Sequence, residues 1–130
     1  GEEENEQSLV IGLSFMNYEW LFMGDAPKSI EHKIVRDNPS LRCDVLKLGH
    51  HGSKTSSSQE FLLHTKPKMA IISVGARNSY GHPDKEVISR LESLGSPYRR
   101  TDEEGSITYR TYFALPLRDF SHVFAYNEWR

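Results

Sequence analysis

At 130 residues, 37% hydrophobic and 26% charged, the chain is long enough for one small domain or part of a larger one and too apolar for general disorder. Its formal charge of -2 at pH 7 lacks the basic balance of a non-specific nucleic-acid binder, although a local metal charge can outweigh the global sum. The single cysteine, Cys43, excludes an internal disulfide and a thiolate zinc cluster, and no apolar run approaches the roughly 20 residues of a membrane-spanning helix.

Residues 1–7, GEEENEQ, are acidic where a signal peptide is basic, and are expected to form a flexible N-terminal segment. The leading Gly1, with no Met, suggests a trimmed piece of a longer protein. Residues 8–115 read as one domain and 116–130 as a tail. Within the domain, SLVIGLSF and EWLFMG predict two strands turning at Asn17, a hairpin. Residues 27–37, with Pro27 at the start, Ile30, Ile34 and Val35 on one side and Asn38 and Pro39 closing, predict a helix. CDVLKL predicts a short strand ended by GHHGS, then a short helix capped by Ser57 or Ser58. KMAIISVG repeats the strand, ARNSYGHP the polar loop, and residues 84–94 the helix, with Val87, Ile88, Leu91 and Leu94 facing inward and Gly95 as the stop. SPYRR and SITYRTYFAL predict strands near an edge about the turn DEEG, with Ile107, Tyr109, Thr111 and Phe113 on one face. PLRDFSHVFAYNEWR has four aromatics and no clear period, so no element is assigned to it. The fold class is α/β.

Three polar clusters follow three apolar strands: Gly24 with Asp25, then Gly49, His50, His51, Gly52 and Ser53, then Tyr80, Gly81, His82 and Pro83. If those strands are parallel neighbours, all three clusters meet at one sheet edge, where α/β folds place sites. One carboxylate with two or three imidazoles suits zinc, manganese or iron. Asp25 reads either as a metal-bridging carboxylate or as the cap of the helix that follows. Adjacent residues point apart, so His50 and His51 fit two roles better than one: a metal ligand at the strand end, and a group that orients or protonates a substrate oxygen. His82 and Tyr80 read as site residues or as packed loop residues, and Lys54 and Arg77 as phosphate contacts or surface charges. His32, His64 and His122 are read as structural or solvent-facing, and Ser53, Thr55, Ser56, Ser57 and Ser58 as turn and cap residues, since no nucleophile-elbow pattern occurs.

The strings CDVLKLGHHGSKTSSSQEFL, KPKMAIISVGARNSYGHPDKEVISRLESLG and YRRTDEEGSI, with NEQSLVIGLSF and LFMGDAP upstream, carry a resemblance over roughly residues 5–110. They resemble the metallo-beta-lactamase-like domain of the ComEC/Rec2 family of bacterial DNA-uptake competence proteins. The resemblance implies the C-terminal half of a four-layer αββα sandwich. It implies two divalent metal ions, zinc or manganese, in the intact domain, with Asp25 bridging them and His50 a terminal ligand of one. It assigns His51 to a substrate phosphate and places His82 in a Gly-His-Pro loop beside the site. Asp84 stands where that family often has a second His, and Met23 where it often has Thr. The family's leading motif, His-x-His-x-Asp-His, and one further ligand histidine precede the strand at 9–15 and do not occur here. The piece is therefore expected to hold no metal tightly, to be inactive alone, and to dimerise or swap to cover its open half. In the intact protein the implied reaction is metal-dependent phosphodiester hydrolysis of DNA. The implied partners are single-stranded DNA and the cell membrane, reached through segments outside this chain, with this domain outside the bilayer. Two alternatives stand beside it: a non-catalytic DNA-guiding or assembly module, and a phosphoesterase or lactonase of the same fold.

Overall fold

The computed structural model describes residues 2–110 and 122–126. Helix α1 (Glu2–Asn5) lies within the segment expected to be flexible, and the Ser29 hydroxyl donates to the Glu6 carboxylate at 2.7 Å just beyond it. Strands β1 (Val10–Phe15) and β2 (Tyr18–Phe22) form the predicted antiparallel hairpin. Met16 and Asn17 both have positive φ, 53° and 65°, the tight two-residue turn that matches strand twist. There follow α2 (Lys28–Asp37), β3 (Val45–Lys47), a 3-10 turn (Gly49–Gly52), α3 (Gln59–Thr65), β4 (Met69–Ile72), α4 (Lys85–Ser93), β5 (Tyr98–Arg100) and α5 (Thr101–Glu104). Ser58 caps α3 by accepting the Phe61 N–H, and Asp84 caps α4 by accepting the Glu86 N–H. Gly95, φ +64°, ends α4: its N–H reaches Glu92 O and the Ser96 N–H reaches Leu91 O, the paired bonds of a left-handed helix stop.

The strands form one mixed sheet in the order β5-β4-β3-β2-β1-β6, where β6 is His122–Tyr126. Strands β2 to β5 are mutually parallel, and β1 runs antiparallel to both β2 and β6. Because the parallel strands advance in one direction, right-handed crossovers put α2, α3 and α4 on one face. The core confirms it: Val10, Leu21, Leu46, Ala70 and Ile72 from one sheet face cluster with Ile30, Ile34, Phe61, Val87 and Leu91 from the helices. Alternation along the strands sends Ile11, Leu13, Phe15, Trp20, Phe22 and Ile71 to the other face, where all are half-buried or exposed. The observed architecture is thus a single α/β sheet with helices packed on one side. No second sheet occurs among the described residues.

Three expectations change. DEEG belongs to a one-turn helix, α5, rather than a turn between strands. Residues 107–110 of the predicted strand SITYRTYFAL are not in a strand; there Tyr109 sets its ring edge-on against Trp20, centroids 5.3 Å apart, and 111–115 lie outside the described residues. The segment 116–130, to which no element was assigned, contributes β6, whose five pairs with β1 run from Val10 with Tyr126 to Ser14 with His122. The rest of it lies outside the described residues. Among the described residues no helix is long and apolar enough to cross a membrane.

Candidate functional site

Strands β2, β3 and β4 are parallel neighbours, so the loops that leave their C-terminal ends emerge side by side. The convergence expected from sequence is therefore present, and backbone bonds lock it. The His50 N–H donates to Gly24 O at 2.9 Å, tying the second loop to the first, and the Asp84 N–H donates to Gly52 O at 2.9 Å, tying the third to the second. Gly52 sits at φ +79°, and a Cβ there would lie 2.7 Å from Pro83 Cβ. Only glycine allows the second and third loops this approach.

His50 and His51 both occupy the left-handed region, at φ 46°, ψ 46° and φ 55°, ψ 26°. Such residues cost about 1–3 kcal/mol each and persist where surrounding contacts over-determine them. The two rings part, with centroids 6.3 Å apart. His50 turns toward His82, ring centroids 5.6 Å apart, and its Nδ1 lies 3.5 Å from Thr55 Oγ1. His51 is exposed, with Nδ1 2.6 Å from Ser73 O. A carbonyl only accepts, so the Nδ1–H must donate, which fixes the neutral tautomer and leaves Nε2 with its lone pair free.

Asp25 is half-buried, and its N–H donates to Ser8 Oγ at 3.2 Å. It is not the cap of α2: Pro27 holds that position and no side chain caps the helix, so the capping alternative falls away. Lys47 lies close enough for Asp25 to raise its pKa, but burial outweighs this and holds the ammonium below the usual lysine range. His82 sits in a loop clamped by Asn78, whose Nδ2 donates to Gly75 O at 2.9 Å and to His82 O at 2.7 Å while Oδ1 accepts the His82 N–H at 2.9 Å. The His82–Pro83 peptide is cis. His82 Nδ1 is buried without a hydrogen-bond partner, and burial, followed by the neighbouring charges of His50 and His51, lowers the ring's pKa against a smaller opposing effect of Asp84. Tyr80 stacks on His82, centroids 5.9 Å apart and planes 17° apart. A cleft of about 160 Å³ is lined by His51, Val74, Gly75, Asn78, Tyr80 and His82.

The remaining predicted residues lie apart from this corner or serve structure. His32 pairs with Glu60 at 3.5 Å on the surface, His64 Nε2 approaches Asn38 O at 3.4 Å, and His122 belongs to β6. Ser53 and Thr55 bond each other, and Ser56 Oγ donates to Ala26 O, as turn residues do. Lys54 is exposed beside a separate cleft with Glu6, Lys28 and Thr55, and Arg77 is exposed on the third loop. Asp84 is a helix cap, which accounts for an acid at that position. Sequence reasoning missed Asn78, although its place in a polar loop is a typical side-chain-to-backbone signal. It also missed Glu31, wholly buried on α2, whose carboxylate accepts the N–H groups of Ser57 and Ser58. Burial pushes that carboxyl's pKa up, against the smaller effect of those backbone bonds. The Arg90 guanidinium donates to Ser57 O, so α2 and α4 together hold the strand of loop that leads into α3.

Among the described residues no group of three or more His, Cys, Asp or Glu side chains is placed to hold a metal ion. Catalytic zinc takes three protein ligands and structural zinc four. Asp25 and His50 are thus suitable donors in kind but too few to make a site by themselves.

No protein-family model matches the chain. The chain is 37% identical over 126 residues, 92% of its length, to ComE operon protein 3 of Bacillus subtilis (strain 168), of which it covers 16%. It is 35% identical over 108 residues, 82% of its length, to Competence protein ComA of Neisseria gonorrhoeae, of which it covers 16%. Recombination protein 2 of Haemophilus influenzae is 36% identical over 104 residues, 80% of this chain and 13% of that protein. The chain spans about one sixth or less of the length of these curated relatives. By sequence, and in agreement with the resemblance in its motifs, it is homologous at family level to the bacterial competence proteins related to ComE operon protein 3 and Recombination protein 2.

Proposed function

We propose that the chain is the C-terminal half of a metallo-beta-lactamase-like domain within a longer DNA-uptake protein, and that this domain performs metal-dependent phosphodiester hydrolysis of DNA. The observation that carries the reading is the strained His50 and His51 pair, held at the edge of three parallel strands by backbone bonds to the loops on both sides. Strain at two consecutive residues is retained where it aims side chains for a task. The open apolar sheet face, with Trp20, Phe22 and Leu13, suits a second sheet of the same domain.

In this reading Asp25 and His50 contribute to a metal centre completed by residues of the longer protein. Two divalent ions, zinc or manganese, would supply charge stabilisation and an acidified water there. His51, with its Nδ1–H committed to Ser73 O, would meet a phosphate oxygen as imidazolium, donating from Nε2, and His82 lines the same cleft. The partners are single-stranded DNA and a membrane reached through segments outside this chain. A second reading, a DNA-guiding module without catalysis, is favoured by the small number of ligating side chains at the corner.

The deciding measurement is metal content by elemental analysis of the protein extended upstream by the rest of the domain, alongside its Asp25→Ala variant. About two ions per chain, lost or halved in the variant, supports the hydrolase. No tightly bound metal in either protein rejects it and leaves the guiding module.

A further inference from the structure

We propose that the cleft between the second and third loops is a stacking site for one base of single-stranded DNA, with the open face of the Tyr80 ring as its platform. The inference rests on the DNA-handling reading above and specifies which part of the nucleic acid this chain grips.

Tyr80 is 80% exposed, more than any other exposed large hydrophobic residue of the described chain. Its ring is nonetheless positioned, because one face lies nearly parallel on His82. The support beneath is rigid: Asn78 bonds both the N–H and the C=O of His82 and also Gly75 O. A platform already held in place loses little conformational freedom when a ligand arrives. Most of its surface faces water, and a flat π-face open to water at the mouth of a cleft is what a base can cover.

The cleft, at about 160 Å³, is smaller than the roughly 300 Å³ at which pockets begin to enclose whole drug-sized molecules, so it admits a fragment such as one base. Bases of a duplex are stacked on one another and cannot enter, which selects single strands. Asn78 is the cleft's amide side chain, and both its ends are engaged by the loop. Its Nδ2–H donors are both used and Oδ1 keeps a single lone pair, so it offers a base edge one acceptor at most and the site should discriminate little between bases. Flanking phosphates have His51 in the cleft wall, and the exposed Arg77 lies on the same loop as Tyr80.

The test is titration of the 130-residue chain with a deoxyadenosine hexamer and with a hexamer that carries the same phosphates but no bases, followed by the Tyr80 ring resonances in NMR. The expected result has three parts. The adenine oligomer shifts the Tyr80 ring protons upfield, Tyr80→Ala weakens its binding about 5- to 150-fold, and Tyr80→Phe retains it. The abasic oligomer binds the wild type and Tyr80→Ala alike. Binding of the adenine oligomer that is unchanged in Tyr80→Ala, or an equal loss for both oligomers, overturns the stacking site and leaves the DNA-handling reading standing. No binding of either oligomer to the wild type overturns the stacking site, and the same result with the protein extended upstream by the rest of the domain overturns the DNA-handling reading as well.

Discussion

Replacing Gly52 by Ala tests whether the second and third loops are held together as described. The substitution imposes two costs. At φ +79° an L side chain is strained by about 1–2 kcal/mol. The new Cβ would lie 2.7 Å from Pro83 Cβ, 3.2 Å from Pro83 Cα and 3.3 Å from Ile72 Cγ2. None of these is the loose end of a flexible side chain, so the backbone must shift, at about 1–3 kcal/mol for an overpacked site. The sum is a loss of about 2–5 kcal/mol. Gly81→Ala is the internal control: φ is +74°, and nothing lies within 4 Å of the added Cβ. It pays the conformational cost alone, about 1–2 kcal/mol, and the unfolded-state gain from losing a glycine is common to both variants and cancels. Urea unfolding with a shared m-value gives both losses. The expected excess of Gly52→Ala over Gly81→Ala is about 1–3 kcal/mol, with displaced His82 ring signals in NMR. Equal losses would refute the loop contact.

Removing Glu31 leaves the buried N–H of Ser57 and the partly buried N–H of Ser58 without acceptors, at about 1–3 kcal/mol each, so Glu31→Ala should destabilise the chain by about 2–6 kcal/mol in urea unfolding. Burial raises this carboxyl's folded pKa, so its contribution is full below 4.5 and declines as pH rises through the folded value. The penalty should therefore be larger at pH 4 than at pH 7, and a penalty that grows with pH contradicts the assignment. The His82 ring, lowered by burial, should titrate below 6.5 in proton NMR. Folding then favours the neutral ring, so this stability is present above 6.5 and lost as pH falls through the folded value; a midpoint above 6.5 counts against a buried Nδ1. Cys43 is buried and its thiol is pushed up to about 12, so a disulfide reagent at pH 8 should modify it only after urea unfolding. Prompt native reaction would show the core open there.

Local chemistry made much of the molecule legible. The apolar run SLVIGLSF with its turn at Asn17, helical spacing in residues 84–94, the cap at Ser58 and the stop at Gly95 act within a few residues of where they are written. The order strand, polar loop, helix, given three times, also led to a common sheet edge, because parallel strands joined by right-handed crossovers leave their loops at one end. What depends on partners distant in the chain was not readable. The pairing of β6 with β1 joins residues more than a hundred positions apart, and no pattern within HVFAY specifies it. The burial of Glu31 depends on where α3 begins relative to α2, and the placing of Tyr109 on the ring of Trp20 depends on the finished sheet. His50 and His51 were evident as residues, but their left-handed backbone and diverging rings exist only once Gly24, Ser53 and Ser73 supply the bonds that hold them. The sequence by itself determined which groups reach the corner, since that follows from short-range propensity and connection order. Tertiary packing alone decided how they face one another, because side-chain direction and backbone strain are set by contacts that form after the elements meet.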